Sequence, residues 1–432
     1  MDKVGLNYMK KLKKYIFIVI FVYNKILSLP PINVLRPEDR PLFPEVWPCT
    51  RVQFSVGYEY LFDIRGFQDV YDTYDIQFSG DKEIAVNPLQ IYQSHQNAIA
   101  SLNGRLDYND KAAQIAQFFN INDNNGLLGI YRPYGKFKVP VNLMLALRYH
   151  FNYGFALGAF LPYYEMELKD IEFINLSNNT SLEYYYQEHL INFVSQNTGI
   201  SLKPWKRKGI GDLVMYGSWT LDFPQSKALL SNVRTNLRFG PSFPTGKKSN
   251  NDKILAIPFG NDGSYGLVVG GGIDLDFAYK IRGGIDVYLL YLFGDLRNRR
   301  VKTARAQTDL LFSKKVLAFR EFGLYQQYNL YLEAFNINDT PFSFKINYQC
   351  QKQNDDKLYI SDISINPKIA NDAEYLQQWS THSLLFMPSF DWGCYNPESR
   401  FIPSIIGWFK WGFNGKRALV GDSFGFMIHI SF

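Results

Sequence analysis

Residues 423–432 read Ser-Phe-Gly-Phe-Met-Ile-His-Ile-Ser-Phe, and their reading decides the fold. Phe424, Phe426, Ile428, Ile430 and Phe432 alternate with Ser423, Gly425, Met427, His429 and Ser431. A period of two belongs to an extended strand, whose successive side chains point to opposite faces. The same pattern opens the chain's body, where Val52, Phe54, Val56, Tyr58 and Tyr60 alternate with Arg51, Gln53, Ser55, Gly57 and Glu59. It recurs in Leu213, Met215, Trp219, Leu221 and Phe223 against Asp212, Tyr216, Ser218, Thr220 and Asp222, then in Val233, Leu237, Phe239 and Phe243 against Arg234, Asn236, Arg238 and Ser242. Similar runs occupy 137–149, 155–168, 265–278, 284–294, 325–335, 342–350, 382–391 and 401–413. The total is about twelve strands, each near the roughly 9–11 residues that a tilted transmembrane strand needs.

An alternating strand that ends on an aromatic residue resembles the last strand of bacterial outer-membrane β-barrels. That resemblance implies that Phe432 is part of the signal read by the barrel-assembly machinery. The connections agree with it. Short links near 150–154, 224–232, 279–283, 336–341 and 392–400 alternate with long ones at 63–136, 169–210, 244–264, 295–324 and 351–381, and 414–421 forms a shorter last outer loop. Short periplasmic turns and long outer loops are the pattern of such barrels, and an even strand count returns both ends to the periplasmic side. The fold class expected is therefore an all-β, antiparallel transmembrane barrel of about twelve strands over 51–432, with a partly helical first loop or plug at 63–136.

Composition fits. Aromatic residues make up 17% of the chain, which is far too much apolar surface to leave unpacked, so a disordered chain is excluded. No run is long and apolar enough for a transmembrane helix. Lipid-facing rings should gather at the two strand ends. The proposed outer ends carry Tyr60, Phe243, Tyr265, Phe293, Tyr348 and Phe413, and the periplasmic ends carry Phe223, Phe277, Phe344, Phe390, Phe401 and Phe432. Val56, Leu237, Val269, Leu289, Leu330, Ile346 and Ile428 fall between them. A periplasmic β-sandwich is the alternative, since sandwiches also alternate but bury their apolar faces.

The formal charge of +6 resides mostly in residues 1–28, which hold six Lys and one Asp. The rest is nearly neutral, so no nucleic-acid partner is expected. Lys10, Lys11, Lys13 and Lys14 precede the short apolar run Tyr15 to Tyr23, and Pro30-Pro31 follow. This reads as an export signal cut near Ser28, leaving 29–50 as a periplasmic N-terminal segment and placing the protein in the bacterial outer membrane.

On the inward faces, Asp222, Arg234, Arg238, Asp274, Asp276 and Asp286 fall in adjacent columns toward the periplasmic half. They form either a structural charge ladder or a constriction that selects among small solutes. Twelve strands lie between a side-chain-filled barrel and an aqueous channel. Gly158, Gly266, Gly270 and Gly272 thin the lining, and Tyr164, Tyr216, Tyr288, Tyr331 and Trp408 fill it. In the longest loop, Pro88–Leu102 and Asn109–Phe119 have helical spacing, with Leu89, Tyr92, Ile99 and Leu102, then Ala112, Ile115, Ala116 and Phe119, as apolar stripes. The segment folds into the barrel mouth, caps the outside or forms an interaction surface. Loop 169–210 adds Tyr184-Tyr185-Tyr186, His189 and Trp205-Lys206-Arg207-Lys208, a cluster suited to lipopolysaccharide phosphates or to a solvated loop face.

Three cysteines without a CxxC and five dispersed histidines support no metal site and no cofactor. Cys49 and Cys394 are placed to bridge near the closure seam in the oxidising periplasm, and Cys350 at the outer end should stay free. No enzyme is expected. His429-Ile430-Ser431 is similar to the His-x-Ser pair of an outer-membrane phospholipase, but parity puts both side chains in the lumen, on the wrong face for lipid chemistry. No GxSxG occurs, and a strand runs through Gly270-Gly271-Gly272, which excludes a phosphate loop.

Gly209-Ile210-Gly211-Asp212-Leu213, then Phe239-Gly240-Pro241-Ser242-Phe243-Pro244-Thr245-Gly246 and the glycine-rich strand to Phe277, resemble a family of outer-membrane barrels described as phenol-degradation or transporter proteins. The resemblance covers about 209–279 and the last strand. It implies envelope transport of small hydrophobic or aromatic molecules and no catalytic residue. The function expected is a narrow outer-membrane channel or small-solute uptake porin embedded in lipid and lipopolysaccharide. The alternative is a structural or adhesive barrel with a closed pore.

Overall fold

The computed structural model describes residues 40–42, 50–69, 85–103, 129–176, 184–277 and 280–432. The expected export signal and Cys49 lie outside these residues. Twelve strands form the wall: β1 (Val52–Phe67), β2 (Ile130–His150), β3 (Phe155–Asn175), β4 (Leu213–Pro224), β5 (Leu230–Phe243) and β6 (Gly266–Phe277), then β7 (Ile281–Leu292), β8 (Tyr325–Ala334), β9 (Phe342–Gln353), β10 (Trp379–Asp391), β11 (Ile402–Lys416) and β12 (Ala418–Ser431). Each pairs antiparallel with its neighbours in the chain, and β1 pairs with both β2 and β12. The sheet is thus a closed up-and-down barrel with no free edge.

Closure is fixed by register at the seam. Phe54 lies opposite Ile430 and Ser55 opposite His429. The Phe432 amide donates to the Val52 carbonyl at 2.8 Å, and the Arg51 amide donates to the Phe432 carbonyl at 2.8 Å. A slip of one residue would turn Phe424, Phe426 and Ile428 inward, so the alternating pattern itself pins the seam.

The outward face is apolar all round. Leu145, Leu147, Leu157, Leu237, Ile273, Ile285, Leu330, Phe424 and Phe426 are exposed. A folded chain that leaves such a continuous belt of large apolar side chains uncovered has a non-aqueous surround. Tyr60 and Phe62 stack on each other and meet Phe424 across the seam at tilted angles. The aromatic positions read from the sequence lie on this outward face. Rings on this outward face account for part of the aromatic excess, and others are buried in the lumen and cap.

Several boundaries differ from the sequence reading. The last outer link is not a loop at 414–421, because β11 and β12 continue to Lys416 and Ala418 and turn on Arg417, whose φ is 47°. Strands β2 and β3 have 21 residues each, roughly 70 Å at a strand's rise, and project past any bilayer. Polar side chains in those outer portions hid the continuation. Their projecting ends carry a cap built from the long loops. It includes α1 (Ala98–Asn103), α2 (Tyr184–Thr198) and a three-stranded ribbon of Asp295–Val301, Lys314–Glu321 and Lys357–Ile360.

The expected helical stretch Pro88–Leu102 is broken into a 3₁₀ turn at Pro88–Gln90 and α1, and Asn109–Phe119 lies outside the described residues. The stripe still finds its partners. Leu89 and Tyr92 join a cluster with Phe137, Tyr164, Leu168 and Ile254 across the barrel mouth. Ile99 and Leu102 pack with Leu190, Val194 and Leu311. The first loop is therefore part of a cap, tied to the 309–313 segment by Gln93 Nε2 to Asp309 Oδ1 at 2.9 Å and Ser313 Oγ to the Ser101 carbonyl at 2.6 Å. Pro41 and Leu42, expected below the barrel, lie inside it. Leu42 joins the cluster of Met144, Tyr216 and Trp408, and Lys345 Nζ donates to the Pro41 carbonyl at 2.8 Å.

Candidate functional site

Strand parity turns one residue in two toward the lumen, and the lining divides into three kinds of surface. Ionic groups hold the periplasmic third. Arg234 Nε meets Asp222 Oδ1 at 2.6 Å at the rim, where Asp222 is exposed. Deeper in, Arg238 meets Asp286 at 2.6 Å, and both side chains are almost completely buried. The Tyr331 hydroxyl donates to Asp274. Of the six charges read from the sequence, four pair with one another, Arg234 with Asp222 and Arg238 with Asp286, whereas Asp274 meets Tyr331 and Asp276 meets Arg282, neither of which was in that set.

Arg282, Glu333 and Lys345 complete the array. Arg282 bridges Asp276 and Glu333, and Glu333 reaches Lys345 at 3.6 Å, giving an ionic rung across β6, β7, β8 and β9. The sequence reading missed Arg282 because it started that strand at 284. The polar alternation of Arg282, Gly284 and Asp286 carries the signal. Buried charges cost several kcal/mol each unless paired. Pairing across neighbouring strands offsets that cost along the lower wall.

Amides line β8 and β9, beside β10, farther along the same strands that carry Glu333 and Lys345. Gln351 Nε2 donates to Gln327 Oε1 at 3.1 Å, and both Gln349 Nε2 (3.2 Å) and Asn347 Nδ2 (3.1 Å) donate to Asn329 Oδ1. Thr381 Oγ1 donates to Gln351 Oε1 at 3.3 Å. The track has unused capacity, because Gln327 Nε2, Asn329 Nδ2 and Asn347 Oδ1 are buried without a partner. Near the seam, Glu59 accepts from Ser423 Oγ at 2.6 Å and from Asn142 Nδ2 at 2.9 Å.

Aromatic and sulfur-bearing side chains fill the middle: Met144, Met387, Met427, Tyr216, Tyr288 and Trp408. Glycines make room for them. A Cβ on Gly158 would stand 2.4 Å from the Tyr216 ring, and one on Gly425 would stand 2.5 Å from Trp408. The rings therefore lie close against the neighbouring strand at these glycines. Glu59, Gln327, Thr381 and Lys410 are 0% exposed, so packed side chains surround them at their level of the lumen.

His429 and Ser431 both face the lumen. His429 Nδ1 is 2.7 Å from Ser55 Oγ, and Ser431 Oγ accepts from Gln53 Nε2 at 3.2 Å. The two side chains are engaged with β1 and not with each other. The basic run at 205–208 is also used internally: the Trp205 indole donates to the Ile254 carbonyl at 2.8 Å, and Arg207 donates to the carbonyls of Ala256 and Ile257 and lies over Phe259. Only the lysines remain for solvent, and Lys206 is paired with Glu165. Cys394 Sγ donates to Asn336 Oδ1 at 3.1 Å, and Cys350 lies half-buried on the outward face. Among the described residues no group of three or more His, Cys, Asp or Glu is arranged to hold a metal ion.

The motif residues of the family resemblance converge at the junction of wall and cap. Asp212 Oδ1 accepts from the Gly246 amide at 2.8 Å, and its other oxygen accepts from the Asn261 amide. The Thr245 hydroxyl donates to the Gly211 carbonyl at 2.8 Å and accepts from the Leu213 amide at 2.9 Å. These bonds fasten the 244–264 loop to the top of β4, where β3 changes partner from β4 to the extension Trp205–Ile210.

No protein-family model and no curated protein sequence matches the chain. Among solved structures, an outer membrane channel from Pseudomonas putida F1 aligns over 92% of this chain and 100% of its own, at 10% identity and a TM-score of 0.48. A FadL homologue from Pseudomonas aeruginosa aligns over 94% and 98%, at 10% identity and 0.31. The toluene transporter TbuX from Ralstonia pickettii aligns over 88% and 89%, at 10% identity and 0.32. At such scores the barrel assignment rests on the chain's own strand pairing and belt.

Proposed function

We propose that the chain is a passive channel for small solutes in the bacterial outer membrane. The observation that carries this reading is the two-faced wall: a continuous apolar exterior around a lining of amides with unused hydrogen-bonding groups. A barrel that had only to be filled would be served by apolar side chains, because unpartnered buried amides cost about 1–3 kcal/mol each. Those groups are useful where solutes pass and exchange partners. Export through residues 1–28, assembly through Phe432 and contact with lipopolysaccharide belong to the same reading.

A structural or adhesive barrel with a permanently closed pore is the second reading, favoured by the burial of many lumen side chains. Planar-bilayer recording of refolded protein separates the two. Ion current is expected in wild type or after removal of 68–128, which contains the cap's first loop. Silence in both would end the channel reading.

A further inference from the structure

The cap contains a partly open cavity of about 140 Å³, lined by the 249–257 loop, the ribbon, the 309–312 turn, Tyr92 and Tyr375. An engineered apolar cavity of about 150 Å³ takes one benzene ring, so the size suits a single small organic molecule. Its lining has two chemistries. Ile254, Ile257, Leu310 and Phe312 give an apolar side. Arg299, Arg300, Arg320 and Lys253 face it against one carboxylate, Asp309.

The acidic partners of the arginines stand behind the lining. Arg320 is held by Asp356, Arg299 by Asp295 and Asp262, and Arg300 by Asp252. Asp309 is already engaged by Gln93 and by the Tyr375 amide at 2.6 Å. Arg299, only 4% exposed, keeps an Nε–H that has no hydrogen-bond partner. A buried donor of a guanidinium is costly to leave unmade and is matched best by a carboxylate oxygen. Burial first, and repulsion among the neighbouring arginines after it, holds the Arg297 and Arg299 guanidiniums down at about 9 and about 10.

We propose that this cavity binds a small organic anion, a carboxylate on one apolar ring or short chain, with the carboxylate toward Arg299 and the apolar body against Leu310 and Phe312. As the capture site of a channel it rests on the reading above, whereas binding itself does not. The test is titration calorimetry on refolded full-length protein in detergent, with benzoate, its neutral counterpart benzamide, and inorganic phosphate.

Benzoate should bind at least tenfold tighter than either of the others. Arg299→Gln should weaken it at least tenfold, and Leu310→Trp, which fills the cavity without changing charge, should do the same in protein that keeps its heat-modifiable gel mobility. Equal binding of benzamide, tighter binding of phosphate, undiminished binding in Leu310→Trp, or no benzoate binding in wild type would each overturn the proposal. The benzamide and phosphate comparisons need no variant to fold. Benzoate permeation into proteoliposomes, measured alongside, keeps the two readings apart: binding without permeation removes the channel, and permeation without binding removes the cavity site.

Discussion

At the scale of single residues, the lining shows why a barrel interior can hold charge. Arg238 and Asp286 sit on strands separated by β6, and they touch because Gly270 and Gly272 of β6 leave the space between them. Replacing Arg238 with Met strands a buried carboxylate, at a cost of about 3–5 kcal/mol. Urea unfolding of refolded protein should show that loss, and Asp286→Leu added to Arg238→Met should recover most of it. Asp212 is the second residue with outsized influence. Asp212→Ala leaves the amides of Gly246 and Asn261 without acceptors, worth about 1–3 kcal/mol each. Hydrogen exchange at those two amides should rise while the seam pairing of β1 and β12 is unchanged. The charges were visible in parity and Asp212 stood within the motif that resembles the barrel family, but the contacts of neither were legible from residue type. The partners of Asp212 lie 34 and 49 residues away and are brought close only by folding.

At the scale of elements, the wall and the cap obey different rules. Wall strands alternate because one face meets lipid and the other the lumen, so their existence and register follow from a short pattern. The cap is built from segments whose apolar residues meet partners in other loops, and the helical spacing of 88–102 pointed only to a need for cover. One consequence is a pH response confined to the cap. Burial pushes the Asp356 carboxyl up to about 7, against the pull of Arg320 and the Gly323 amide. An unfolded Asp titrates near about 3.9, so the folded cap binds that proton more tightly. The stabilisation is full below about pH 4 and is lost as pH rises through about 7. Intrinsic-rate-corrected hydrogen exchange at Gly323 and Leu358 should therefore be slower at pH 5 than at pH 8. Asp356→Asn should flatten the difference.

At the scale of the whole molecule, closure is the decisive property. A closed sheet of twelve strands leaves no edge to fray, so the barrel should resist detergent until heated and migrate differently in unheated and boiled gel samples. A single mobility, or recovery in the soluble fraction, would contradict the barrel. Period-two alternation was sufficient by itself to give a count of about twelve strands, the outward faces and the inward turn of the named lumen residues. Those features are local, and each strand carries its own copy of the signal. Tertiary structure alone decided that β2 and β3 continue into a cap, that Leu42 lies inside the lumen and that Arg282 joins the ionic rung. It alone also made a basic cavity from loops far apart in the chain. Contacts between distant segments depend on where the whole wall delivers them, and no short window of sequence contains that information.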